Sequence, residues 1–156
     1  MAGVGIVKAE YNESEFQAIL TALSKAAMPD LLEIARMAGG ELDYISSKAF
    51  EHEKDPVTEK NWEPLKQPRP NGETNPILWY GGQLKRSLIG SWEAYPDGSV
   101  IFGSNMVYAR IHQQGGQAGR GNKTTIPARP YMGVPKDFDR RILNDPAVLK
   151  LLGLEA

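Results

Sequence analysis

The chain has 156 residues, 41% of them apolar, with 16 glycines, 11 prolines, no cysteine and a formal net charge of −1. That length suits one domain with a modest core and long ordered loops. The missing cysteine excludes disulfides and thiolate metal sites and fits synthesis in a reducing cytosol, and no apolar run approaches the roughly 18 residues of a membrane span. The charge is divided unevenly, −6 over residues 1–63 and +5 over residues 64–156. Two such halves attract one another between copies, or leave each half with a solvated charged face.

Met1–Val7 is too short and too weakly basic for a signal peptide. Residues 12–28 read as a helix, capped by Asn12 or Ser14, with Phe16, Ile19, Leu20 and Leu23 on one stripe. Pro29 interrupts it, because proline is tolerated in a first helical turn and not inside a helix. A second helix is predicted from Pro29 to Glu53 on the stripe Leu31, Leu32, Ile34, Ala35, Ala38, Leu42, Ile45, Ala49 and Phe50. Gly39-Gly40 lies in its middle, each glycine costing about 1 kcal/mol relative to alanine. The stripe resumes nearly in phase, so the helix is expected to continue where a neighbour approaches the backbone closely.

Residues 54–76 hold five prolines, too many for a helix or a central strand. They form a long loop, anchored in its first half by Trp62 and Leu65 and expected to be mobile over 66–75. A short helix is predicted at 81–89 with Leu84, Leu88 and Ile89 inward. A hairpin follows, Ser91–Ala94 and Ser99–Phe102 around Tyr95-Pro96-Asp97-Gly98, because Asp-Gly accepts the backbone such a turn needs. A helix at 105–114, strand pieces at 124–126 and 130–134, a helix at 137–143 and a last turn at 145–152 complete the reading. The class is α+β: long N-terminal helices packed on a small, mostly antiparallel sheet with short interleaved helices. The domain divides into a helical part (12–53), a Pro-rich loop (54–76) and an α+β part (77–144).

Tyr108-Ala109-Arg110-Ile111-His112-Gln113-Gln114-Gly115-Gly116, a glycine-rich loop, and Ile126-Pro127-Ala128-Arg129-Pro130-Tyr131-Met132-Gly133 stand in that order. This block resembles the signature of the phage virion morphogenesis, or tail-completion, family of Mu-like and P2-like phages and prophages. The likeness extends back through Ser99–Ser104, through Ile77-Leu78 with Gly82–Leu88, and through Phe50, Pro56 and Trp62-Glu63-Pro64-Leu65, although Val57–Lys60 replaces the family's glycine-containing turn. The resemblance implies a virion protein at the neck or top of the tail, made in the bacterial cytoplasm. It implies a ring, commonly hexameric, that completes the tail and joins it to the head beside a connector, tail terminator or tube.

His112 is one of two histidines, and with no HxxxH, HExxH or cysteine beside it no metal is expected; its role reads as structural. Gly115–Gly121 lacks the Gly-Lys-Ser/Thr that opens a helix in a P-loop, and Ile126-Pro127 follows, so no nucleotide or other cofactor is expected; the loop reads as a tip reaching a neighbouring subunit. Arg110, Arg120, Lys123, Arg129 and Tyr131 are the candidate subunit contacts. The basic half offers as an alternative non-specific contact with DNA phosphates, though no aromatic ladder interleaves the charges. Pro127-Ala128-Arg129-Pro130 is a stiff element that holds one guanidinium for a turn or an interface. Phe50, Trp62, Leu65, Tyr108 and His112 read as structural anchors. No catalytic constellation is present, and an enzyme is not expected.

Overall fold

The computed structural model describes residues 30–154 apart from 68, 70, 71, 73 and 80. The predicted helix 12–28 and the predicted start at Pro29 lie outside the described residues. The long helix α1 runs Leu31–His52, and the Asp30 side chain caps it by accepting from the Glu33 N–H at 3.2 Å. It ends at Glu53, in the left-handed region with φ 54°. The helix does continue through Gly39-Gly40, for the reason the stripe suggested. Gly39 is buried, and a Cβ there would overlap the Trp92 indole, whereas Gly40 faces open space. The face carrying Ala35, Gly39, Leu42, Ile45, Ala49 and Phe50 is buried.

Short elements follow the Pro-rich loop: α2 (Gln83–Arg86), β1 (Glu93–Ala94), β2 (Val100–Ile101), α3 (Ala109–Gln114), β3 (Gly116–Ala118), a 3-10 turn (Arg120–Asn122), β4 (Thr124–Ile126), α4 (Phe138–Leu143) and α5 (Pro146–Leu151). Each predicted helix and hairpin strand from residue 81 onward is present but shorter than expected. The β1–β2 hairpin packs against α1. In its turn the Asp97 carboxylate accepts from both the N–H and the hydroxyl of Ser99, and Gly98 takes φ 86°.

The class is α+β with antiparallel pairing as expected, but among the described residues the strands form two separate pairs, β1–β2 and β3–β4, rather than one sheet. The predicted strand at 130–134 does not form. The Gln113 side chain supplies what a paired strand would: its Oε1 accepts from the Tyr131 and Met132 N–H groups at 3.0 and 3.2 Å, and its Nε2 donates to the Met132 carbonyl at 2.7 Å. The partner of β4 is the glycine-rich segment itself, with Gly116, Gln117 and Ala118 opposite Ile126, Thr125 and Thr124. That tip is therefore a hairpin rather than an irregular loop.

The core lies where the C-terminal end of α1 meets the loop and the later elements. Ala49, Phe50, Trp62, Ile77, Leu84, Leu88, Ala109 and Tyr131 are its buried members. Phe50 meets the Trp62 ring edge-on at 5.7 Å and Tyr131 at 5.3 Å, in the range where aromatic pairs attract. Both polar handles are satisfied: Trp62 Nε1 donates to the Pro130 carbonyl at 2.7 Å, and the Tyr131 hydroxyl donates to the Ala109 carbonyl at 3.0 Å. Burial pushes the Tyr131 phenol up to about 12.

Candidate functional site

The block 107–133 folds into three linked devices: a clasp, a cavity and a projecting hairpin. The clasp joins the two family-like segments that are farthest apart in sequence. Arg129 is 6% exposed; its Nε donates to the Glu63 carbonyl at 2.9 Å and its Nη2 to the Pro64 carbonyl at 3.3 Å. The backbone N–H of Arg129 donates to the His112 carbonyl at 2.7 Å, tying the same residue to α3. Prolines 127 and 130 fix the flanking backbone, so one guanidinium holds the Trp62–Leu65 segment in place. Both acceptors are backbone carbonyls of the same chain, so the guanidinium orders this turn from within.

Beside the clasp lies a cavity of about 500 Å³. Leu65, Ile77, Leu78 and Leu84 make its apolar wall; Tyr108, His112 and Arg129 reach it from the block, and Arg69 and Gln83 from the loop and α2. Four residues singled out in the sequence, Leu65, Tyr108, His112 and Arg129, thus converge on one concavity. Leu65 was expected to be an anchor, yet it is 42% exposed and presents its side chain to that space. Tyr108 packs edge-on against His112 at 5.9 Å and shares a hydrogen bond at 3.3 Å with Gln83. The pKa of His112 is lowered, first by burial and then by the Arg129 charge. Its Nδ1 is buried without a hydrogen-bond partner among the described residues. Protonating that nitrogen would bury a charge with no partner among the described residues, which is the physical cause of the lowered value.

The hairpin β3–β4 projects from the clasp. Gly115 takes φ 72°, and a Cβ there would press on the Ala128 backbone nitrogen, so glycine sets its root. Apart from half-buried positions such as Ala118 and Ile126, the arm is exposed, and Arg120 and Lys123 sit at its tip. Neither they nor Arg110 forms an ion pair among the described residues; Arg110 donates to Gln114 at 3.1 Å. Other parts of the basic half are neutralised within the chain, as Arg141 pairs with Asp137 at 3.0 Å and with Glu41 at 3.1 Å. Tyr131, proposed from sequence as a surface contact, is fully buried; its place is the core beside Phe50.

Sequence reasoning missed Gln113, which orders the segment after the clasp, and Gln83 and Arg69, which complete the cavity. The only local signal for Gln113 was its place in the block between His112 and the glycines. Among the described residues no three His, Asp or Glu side chains gather as a metal set, and no helix is long and apolar enough to cross a membrane.

The internal clasp and the projecting cationic arm lie within the stretch that a family model matches. The model of the phage virion morphogenesis family matches residues 11–148. The chain belongs to that family, and its role lies in building a phage particle. It is 33% identical over 118 residues to the putative capsid assembly protein G of Escherichia phage Mu, a match covering 71% of this chain and 74% of that one. The Mu-like prophage FluMu G protein 1 of Haemophilus influenzae is 33% identical over 118 residues, covering 72% and 74% of the two chains. FluMu G protein 2 of the same organism is 47% identical over 51 residues, a third of this chain (33%) and 37% of that relative's length. No solved structure matches the chain significantly.

Proposed function

We propose that the chain is a tail-completion or neck subunit that acts as a ring of identical copies, commonly six, at the head–tail junction. In this reading it catalyses nothing. It is carried in the virion at the top of the tail, where it completes the tail and joins it to the head through a connector, tail terminator or tube. The observation that carries the reading is the hairpin arm. A two-stranded hairpin is marginal by itself, and this one shows its cationic tip to solvent while its root is fixed by the Arg129 clasp. Such an arm gains by covering its edges and charges against another subunit. The acidic first half of the chain offers the complementary charge, and head-to-tail contacts of this kind close into rings.

Two measurements test it. Light scattering on the purified chain should give a closed oligomer, and electron micrographs of particles made without it should show heads and tails that form separately and fail to join. Normal infectious particles would overturn the assignment. Arg110, Arg120 and Lys123, which form no ion pair among the described residues, favour one second reading, an assembly factor that associates with DNA. That reading predicts binding that weakens steeply between low and moderate salt, and negligible binding throughout removes it.

A further inference from the structure

The two hairpins carry opposite charge. No lysine or arginine stands between Arg86 and Arg110, and no aspartate or glutamate between Asp97 and Asp137. The β1–β2 hairpin therefore holds Glu93 and Asp97 without a cation, and the β3–β4 arm holds Arg120 and Lys123 without an acid. Glu93 lies directly opposite Ile101 in the β1–β2 register, so their side chains share one face. That face is the outward one: Glu93 is exposed and Ile101 is 60% exposed, while Ala94 and Val100 on the other face are half-buried. Glu93 accepts from the Tyr95 hydroxyl through Oε2 at 2.7 Å, and Asp97 accepts from Ser99 through Oδ1. Each carboxylate thus keeps one oxygen with no partner among the described residues.

We propose that the β3–β4 arm of one copy seats on the outward face of the β1–β2 hairpin of the next. This rests on the reading above that copies assemble, and it names the surface that receives the arm. Arg120 and Lys123 lie beside Glu93 and Asp97, where charge-assisted hydrogen bonds use the carboxylate oxygens left over. The strands of the arm cover Ile101, whose exposed side chain gains by leaving water.

Reach favours a neighbour over the same chain. A Cβ at Gly98 would touch Leu31, so the β1–β2 turn lies at the start of α1, the end where Asp30 and Glu33 of the acidic first half also stand. The arm is rooted at the other end. Arg129 holds the carbonyls of Glu63 and Pro64, and Trp62 donates its backbone N–H to the Glu53 carbonyl at 2.7 Å, just past the end of α1. The 22-residue helix separates these ends by about 33 Å. At roughly 3.3 Å per residue, the arm from Gly115 to Arg120 spans only about 17 Å. Within the chain neither arm cation pairs with Glu93 or Asp97. A contact that joins one end of a copy to the other end of the next is head-to-tail, the kind that closes into a ring.

Charge reversal in the full-length chain tests it, with self-association read by light scattering over a range of concentrations. Glu93→Lys should weaken association by about tenfold, whereas Asp139→Lys, the same charge change at an exposed position on α4, should leave it unchanged. Arg120→Glu with Lys123→Glu should also weaken it, and adding Glu93→Lys to that pair should recover part of the loss, because the charges match again. Equal effects of Glu93→Lys and Asp139→Lys overturn the proposal, as does a triple variant no tighter than the arm pair. The chain has no cysteine, so introduced cysteines give a second readout without background. Chains carrying Thr124→Cys, exposed on the arm, should form a disulfide faster with chains carrying Ile101→Cys than with chains carrying Val134→Cys, which is 58% exposed and lies on neither hairpin. Equal rates overturn the proposal, as does a chain carrying both Thr124→Cys and Ile101→Cys that closes only within itself. Oligomers indifferent to Glu93→Lys sink this inference alone, and an unaltered chain that stays a single subunit sinks the ring as well.

Discussion

Replacing Gln113 with methionine isolates the hydrogen bonds that hold the segment after the clasp. The two side chains have similar length and volume, so packing against the surrounding residues is largely kept. What disappears is three hydrogen bonds, to the N–H groups of Tyr131 and Met132 and to the Met132 carbonyl. Leaving a buried donor unmade costs about 1–3 kcal/mol. Tyr131 is fully buried and Met132 half-buried, so one N–H suffers most of that penalty and the other groups partly rehydrate. The expected loss is about 2–4 kcal/mol, or a midpoint lowered by about 6–12 °C for a chain of this size. Urea unfolding read by tryptophan fluorescence measures it, since Trp62 donates to the neighbouring Pro130 carbonyl. The transition midpoint should fall with an unchanged slope. A loss below about 0.5 kcal/mol would refute the reasoning, because water or a repaired strand pairing would then serve those groups as well as Gln113 does.

Gly39→Ala and Gly40→Ala should have opposite signs. The first forces a methyl into the Trp92 indole and costs about 1–3 kcal/mol, while the second faces open space in a helix interior and stabilises by about 0.5–1 kcal/mol; thermal melts of the pair decide. The buried Tyr131 phenol, pushed up to about 12, favours the protonated native state. Its contribution is complete below the unfolded value near pH 10 and is lost as pH rises from there through 12. Tyr131→Phe should flatten the alkaline limb of a stability–pH curve, and an unchanged limb would count against the burial argument. His112 titrates the other way. Its lowered pKa means the unfolded chain binds the proton first, so its contribution is present above about pH 6.5 and is lost as pH falls below. His112→Gln should reduce the acid-side slope, read from urea midpoints at a series of pH values.

The features legible in the chain were those whose physics is local. An apolar stripe of period 3.6 specifies α1 wherever its partner lies, and Asp97-Gly98 specifies a turn because its side chain and its positive φ act within four residues. The stiffness of Pro127–Pro130 follows from ring geometry alone. The family likeness was legible too, since a run of motifs in fixed order is a property of sequence. What the tertiary structure alone decided is which distant groups meet. Nothing near Gly39 announces the Trp92 ring that demands it, nor does the sequence around Arg129 say that its acceptors are the carbonyls of Glu63 and Pro64. The segment 130–134 reads as a strand because backbone preference is local, and it is not one because a glutamine from α3 satisfies its polar groups first. The cavity that unites Leu65, Tyr108, His112 and Arg129 exists only once those segments, separated by more than sixty residues at the widest, are folded against one core.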